Sequence, residues 1–433
     1  MREKLLRGRV LSFVREPMTP DDLSACNWHE DGAILLLDGK IIASGDHGSL
    51  KAAASPEVEV IDHRPHILMA GFIDTHLHFP QVQVIASWGA QLLDWLNTYT
   101  FPAEAKFADP DHCDRMAQAF LDLLASYGTT TPVAYCSVHR SSAEALFAHA
   151  EKRDMRIVAG KVMMDRNAPQ SVCDTPQSGY DDSKALIEKW HGRGRAQYAI
   201  TPRFAITSTP EQLDMAGALL RENPDCYMQT HLSENHAEIA FTRELYPDAP
   251  DYLGVYEKYG LLGPRSLFGH CIHLEARERA AMAETGSVAV FCPTSNLFLG
   301  SGLYDEAGLR QQGVRTAIAT DIGGGTSYSM LRTLDEGYKV LQLNSQRLNP
   351  LKAFYWATLG NANALSLESH IGTLDAGTDA DIVVLDSRSN EAMALRMETV
   401  ETLSEELFVL QTLGDDRSVV ETYVSGNPVK RRR

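Results

Sequence analysis

At 433 residues with 44% hydrophobic side chains, the chain can bury a large core and more than one packing unit. Its 57 acidic against 40 basic residues give a formal charge of −17, which argues against a nucleic-acid binder, and no apolar run reaches the ~20 residues of a membrane span. Seven cysteines, none in a C-x-x-C pair and several inside apolar runs, suit buried thiols in a reducing cytoplasm, and the charged residues 1–9 do not read as a secretory signal.

Residues 33–37 and 41–44 flank Asp38-Gly39-Lys40, a tight-turn signal, and predict a hairpin; residues 58–61 predict another strand. The apolar run 67–73 predicts a buried strand that carries on to His76 and His78. Residues two apart on a strand share a face, so these imidazoles leave it side by side. Apolar β-rich runs then alternate with helical stretches. Strands are predicted at 129–136, 156–164, 197–204, 226–232, 266–273, 288–293 and 316–321, with helices near 143–152, 183–190 and 210–222. Counted with the first run, these are eight strands, the pattern of an α/β fold of the (β/α)8 TIM-barrel type. Residues 381–386 and 419–429 return to strands. Neither the head nor the tail is long enough to bury a core alone. Together they predict a small β-sandwich domain from 1–66 and 371–433 around a barrel of 67–370.

In a barrel the strand ends converge on one rim, where catalytic groups sit. His76 and His78 end the first predicted strand and His231 the fifth; His270 lies in the sixth and Asp321 ends the eighth. Neutral imidazole and carboxylate are zinc ligands, and a catalytic site keeps one position for water. His139, His236 and His273 also lie near strand ends. The first and last fall beyond their apolar runs and His236 falls in the following helix, so they rank lower. Gly323-Gly-Gly lacks the Lys-Ser/Thr ending of a phosphate loop and predicts close backbone approach to the site instead. Trp88 and Trp95 are candidates to roof it.

Gly71-Phe-Ile-Asp-Thr-His-Leu-His78, Thr230-His-Leu-Ser-Glu234, Gly269-His-Cys271 and Thr320-Asp321 resemble the metal motifs of the amidohydrolase superfamily. More narrowly, His78-Phe-Pro-Gln81, Lys161-Val-Met-Met-Asp-Arg-Asn-Ala-Pro169, Thr201-Pro-Arg-Phe204, Phe291-Cys-Pro-Thr-Ser-Asn-Leu297 and Thr412-Leu-Gly-Asp-Asp-Arg417 are similar to its guanine deaminase family. The resemblance spans nearly the whole chain. It implies a barrel with a β-sandwich, one zinc ion per chain, and hydrolysis of guanine to xanthine and ammonia. It also implies a cytoplasmic homodimer whose partner is a small molecule rather than nucleic acid or membrane. His76, His78, His231 and Asp321 would hold the zinc, with Asp321 also taking a proton from the attacking water. Five protein ligands would crowd a catalytic zinc, so His270 falls behind them as a hydrogen-bond donor to the water or oxyanion. Glu234 would shuttle the proton to the ring and the leaving amine. Gln81, Arg203 and Phe204, beside His78, His231, Glu234 and Asp321, would bind the base, with Arg203 donating to O6 and Phe204 stacking. Competing readings are the same chemistry on 8-oxoguanine, a triazine, cytosine or an adenosine derivative, a two-metal enzyme bridged by a carboxylated Lys161, and a non-catalytic scaffold.

Overall fold

The computed structural model describes residues 3–88 and 92–431. Four strands come first: β1 (Lys4–Phe13), β2 (Cys26–Leu37), β3 (Lys40–Asp46) and β4 (Glu59–Ala70). The next nine are β5 (Phe72–His78), β6 (Thr129–Tyr135), β7 (Ile157–Gly160), β8 (Val162–Met163), β9 (Ala196–Pro202), β10 (Tyr227–Leu232), β11 (Ser266–His270), β12 (Val288–Phe291) and β13 (Arg315–Ile318). The chain returns to β14 (Ile382–Leu385), β15 (Val419–Val424) and β16 (Asn427–Pro428).

Head and tail strands combine into one seven-stranded sheet, ordered β16-β15-β14-β4-β1-β2-β3. The predicted hairpin is its β2–β3 edge, turned by Asp38 and Gly39 at φ 54° and 78°. Leu6, Ile34, Leu68, Ile382 and Tyr423 pack into its apolar cluster, which mixes residues from both ends of the chain. One expectation needs correcting. The apolar run 67–73 is not a single barrel strand: it divides at Gly71, residues up to Ala70 pairing with β14 in the sheet and Phe72 opening the barrel. A Cβ at position 71 would lie 2.3 Å from Thr130 Oγ1, so the crossing point has no room for a side chain.

The second sheet is the barrel, β5-β6-β7-β9-β10-β11-β12-β13 in parallel order, with β8 pairing beside β9. Its side chains are almost entirely buried, as parallel strands under helices require. The seam between β13 and β5 is closed largely by polar side chains. Asn361 donates to the carbonyls of Ile73 (2.7 Å) and Ile318 (2.8 Å) and accepts from Ile318 N–H (3.0 Å), standing in for ladder bonds. Nearer the rim, Asp74 accepts from Thr320 N–H at 3.1 Å, and Asp321 N–H donates to the His76 carbonyl at 2.9 Å. These bonds fix the register of the strands that carry His76, His78 and Asp321. At the opposite end, Ala362, Leu365, Leu367 and Ile371 pack against Ile73, Val133, Val158 and Tyr227 and close the barrel with apolar side chains. Polar groups therefore gather at the C-terminal mouth.

Candidate metal centre and substrate pocket

The residues assigned from the sequence to the metal and to the base lie together at that mouth. Strand periodicity puts Asp74, His76 and His78 on one face of β5: Asp74 is taken up at the seam by Thr320, and His76 and His78 reach the centre. His78 Nε2 lies 3.1 Å from His231 Nε2 and 3.3 Å from Asp321 Oδ1, and His76 Nε2 is 3.4 Å from the same oxygen. Nitrogens of His76, His231 and His270 fall within 4.8 Å of one another. His270 Nε2 faces Glu234 Oε2 at 3.5 Å and Asp321 Oδ2 at 3.8 Å. His76, His78, Glu234, His270 and Asp321 are at most 4% exposed. Three of these strand ends turn through left-handed backbone, with φ of 51° at Ser233, 72° at His270 and 51° at Asp321. Non-glycine residues there cost about 1–3 kcal/mol each, and such positions cluster at functional sites. Gly269 matters for a related reason: a Cβ there would sit 2.5 Å from His76 Cε1, so any larger residue would push that ring out of place.

The donor set fits a divalent cation. His231 Nδ1 is 2.7 Å from the Arg203 carbonyl, which fixes its proton on Nδ1 and leaves the Nε2 lone pair facing the cluster. His76 Nε2 and His78 Nδ1 are buried without a hydrogen-bond partner. Burial pushes His76 down to about 4, and lowers His78 and, further, His231, so these rings favour the neutral, ligating form. Burial opposes ionisation of Asp321, but the His76 and His78 rings that face its Oδ1 outweigh it and hold the carboxyl well below its usual range. His270 differs. Burial disfavours its charged form, yet the Glu234 and Asp321 carboxylates override this and raise it, and Asn296 Oδ1 accepts from Nδ1 at 2.9 Å. Cys292 also borders the cluster, a neighbour the sequence reading left out. Its thiol points to the Val290 carbonyl (3.7 Å), and burial raises it far above a thiolate range.

Glu234 sits two residues before the helix His236–Leu245 rather than in its first turn, so the helix does not account for it. Burial raises its carboxyl, the Asp321 charge adds to that, and His270 opposes it. Ser301 Oγ holds Oε1 at 2.8 Å. Glu238, one turn on, accepts from Glu234 N–H (2.8 Å), Asn235 N–H (3.2 Å) and Tyr252 OH (2.7 Å), and burial with the Glu234 charge pushes it up to about 7. Because that folded value exceeds the unfolded ~4.3, the native state binds the extra proton, and stability falls as pH rises from about 4.3 to 7 before levelling. Melting temperature should therefore decline more steeply across pH 5 to 7 in the wild type than in Glu238→Gln; equal slopes would show that Glu238 does not hold a proton in the native state.

The pocket beside the cluster is lined by Gln81, Arg203, Phe204, Glu234 and Gly324, under Leu92, Trp95, Leu96 and Leu299. Trp95 is 3% exposed there; Trp88 is 78% exposed and lines no wall, which corrects its reading as a roof. Gly323 N–H donates to Gln81 Oε1 at 3.3 Å where a Cβ would meet Gln81 O at 2.8 Å, the close backbone approach expected of this glycine run. His139 occupies the position just before a helix, and His236 and His273 pack against each other, tilted by 35° with centroids 4.1 Å apart, outside the pocket lining. Lys161 is committed elsewhere: its Nζ contacts Asp174 Oδ2 at 2.5 Å and the Val162 carbonyl at 3.1 Å, away from the histidines. The sequence reading missed Glu104, Asn296, Ser301 and Tyr135, the last packing its ring 4.6 Å from His78 and 4.8 Å from His76. Only Asn296 falls within a quoted motif; Glu104 lies on a five-residue helix, Ser301 in a loop and Tyr135 at a strand end, with no periodic or ligand signal.

Residues 67–429 match the model of the amidohydrolase family. The chain belongs to the amidohydrolase family. It is 46% identical over 430 residues to the guanine deaminase of Escherichia coli, covering 99% of this chain and 98% of that one. The solved guanine deaminase from Bradyrhizobium japonicum superposes with a TM-score of 0.96 at 37% identity, covering both chains fully. That from C. acetobutylicum, which holds guanine in its active site, gives 0.88 at 29% identity over 99% of this chain and 100% of that one. The barrel and its flanking sheet are thus this amidohydrolase's shared architecture, and the four histidines with Asp321 lie inside the matched region.

Proposed function

We propose that this amidohydrolase is a guanine deaminase that hydrolyses guanine to xanthine and ammonia. One observation carries the reading: three neutral imidazoles, those of His76 and His78 buried and that of His231 partly so, and an ionised aspartate share a mouth with a raised carboxyl, Glu234, and open onto a wall built from Arg203, Gln81 and Phe204. The names carried by the relatives support the same choice. His76, His78, His231 and Asp321 would hold zinc, about one per chain, and the zinc when bound supplies a water activated at neutral pH. His270 stands apart because its Nε2 faces the Glu234 and Asp321 carboxylates at 3.5 and 3.8 Å, which suits a hydrogen-bond donor to developing negative charge rather than a ligand.

The chain's own groups then follow in order. Asp321 accepts a proton at its carboxylate. Glu234, raised by burial and anchored through Oε1, carries a proton on Oε2 to the ring nitrogen beside C2 and next to the departing amine. Arg203 donates to O6, an acceptor, and Phe204 offers its ring face. Leu92, Trp95, Leu96 and Leu299 limit water entry. A cytoplasmic homodimer is the setting this reading carries over from the family; no helix among the described residues is long and apolar enough to cross a membrane. The same chemistry on another heterocycle is tested by ammonia release from guanine, 8-oxoguanine, a triazine, cytosine and adenosine. Guanine is expected to turn over fastest, with xanthine as product; a higher kcat/KM on any of the others defeats the proposal.

A further inference from the structure

Glu104 lies on the short helix Phe101–Ala105 in the connection after β5, is 1% exposed, and touches two residues of the pocket wall without reaching the histidines. Arg203 Nη1 donates to both of its carboxylate oxygens at 2.8 Å, and Gln81 Nε2 donates to Oε1 at 3.0 Å. The same helix supplies Phe101, whose ring centroid is 5.6 Å from the Arg203 guanidinium carbon. The buried ion pair is closed on itself, so its two charges balance away from water.

The contacts decide which way the Gln81 amide faces. A carboxylate ion-paired to arginine only accepts, so the amide must turn its nitrogen to Glu104. From the other side, the Gly323 N–H requires the amide oxygen. Two partners of opposite sense therefore fix one orientation. After these bonds are counted, Arg203 retains three N–H donors and Gln81 one, against a single remaining lone pair on Gln81. The wall is an array of donors.

We propose that Glu104 is a positioning residue that determines specificity: by gripping Arg203 and orienting Gln81 it makes the wall read an oxo edge of the heterocycle and reject an amino edge. This rests on the purine-deaminase reading above and deepens it, so it is tested by binding, which needs no turnover. Hypoxanthine and adenine differ at position 6 only in the group and ring protonation this wall would read. By titration calorimetry the wild type should bind hypoxanthine about tenfold or more tightly than adenine, the worth of one well-placed hydrogen bond. In Glu104→Gln the new amide can donate as well as accept, Gln81 can turn, and the preference should shrink to within about threefold. Glu104→Asp, whose carboxylate is drawn back, should fall between the two.

With guanine, the Glu104→Gln variant should raise KM about tenfold with kcat changed less than about threefold, since Glu104 touches no reacting atom. A wild type without preference, an unchanged ratio in Glu104→Gln, or a loss confined to kcat overturns the proposal. If Glu104→Gln fails to fold, Glu104→Asp decides: a drop of about threefold or more in the ratio supports the assignment, and an unchanged ratio ends it. Failure of the wild type to deaminate guanine, with the binding preference and its loss intact, would defeat the proposed function and leave Glu104's role standing.

Discussion

Replacing Glu234 by Gln lowers kcat on guanine by about 10²- to 10⁴-fold, the range a positioned proton donor contributes, while bound zinc stays near the wild-type level. The substitution is isosteric and keeps an acceptor for the Ser301 hydroxyl, which now holds Oε1 at 2.8 Å. It removes the titratable proton, and with it the carboxylate charge that faces His270. Glu234 N–H is held separately by Glu238, so the loop should keep its path. KM should change little, because the wall made by Arg203, Gln81 and Phe204 is untouched. Steady-state kinetics with metal analysis on one preparation checks both halves. Near-normal turnover would remove Glu234 from the proton path, and loss of zinc would mean that it serves the metal instead.

Asp321→Asn has the other large effect: metal affinity falls by more than the roughly 10–100-fold that substitutions behind a ligand cost, and turnover falls with it. Asp321 lies within 3.3–3.4 Å of two ring nitrogens and, among the described residues, is the one carboxylate in direct contact with both His76 and His78. An amide keeps the shape but gives up the negative charge that three neutral imidazoles need beside a dication. The backbone bond from Asp321 N–H to the His76 carbonyl does not involve the side chain, so the barrel seam should hold and the melting temperature of the metal-free protein should stay close to the wild type. Metal retained at wild-type affinity would show that His76, His231 and His270 suffice as ligands.

The grouping of four histidines and Asp321 at one mouth was legible because its signal is regular. His76 and His78 keep strand periodicity at the end of an apolar run, His231 and Asp321 close runs of the same kind and His270 lies within another, so counting strands was enough to bring them together. The Gly71 division was not legible, since an apolar run looks alike in a parallel barrel and in a buried sheet strand; the absence of space beside Thr130 is a fact of packing. Glu104 was invisible for a different reason. It lies in a long connection without periodicity, and its importance comes from Gln81 and Arg203, 23 and 99 residues away. Asn296 lies in the helix Pro293–Phe298 and Ser301 just after it, tied back by Ser301 N–H to the Asn296 carbonyl at 2.8 Å, so a single segment steadies both Glu234 and His270. Side-chain function that runs through another side chain leaves no pattern in a lone sequence.

The most direct test strips the purified protein of metal with a chelator, then titrates zinc back while following guanine loss and xanthine and ammonia release. Activity should vanish on removal and return in proportion to zinc, levelling at about one ion per chain. Full activity in metal-free protein, or a plateau that needs two ions per chain, would contradict the single-metal site of His76, His78, His231 and Asp321.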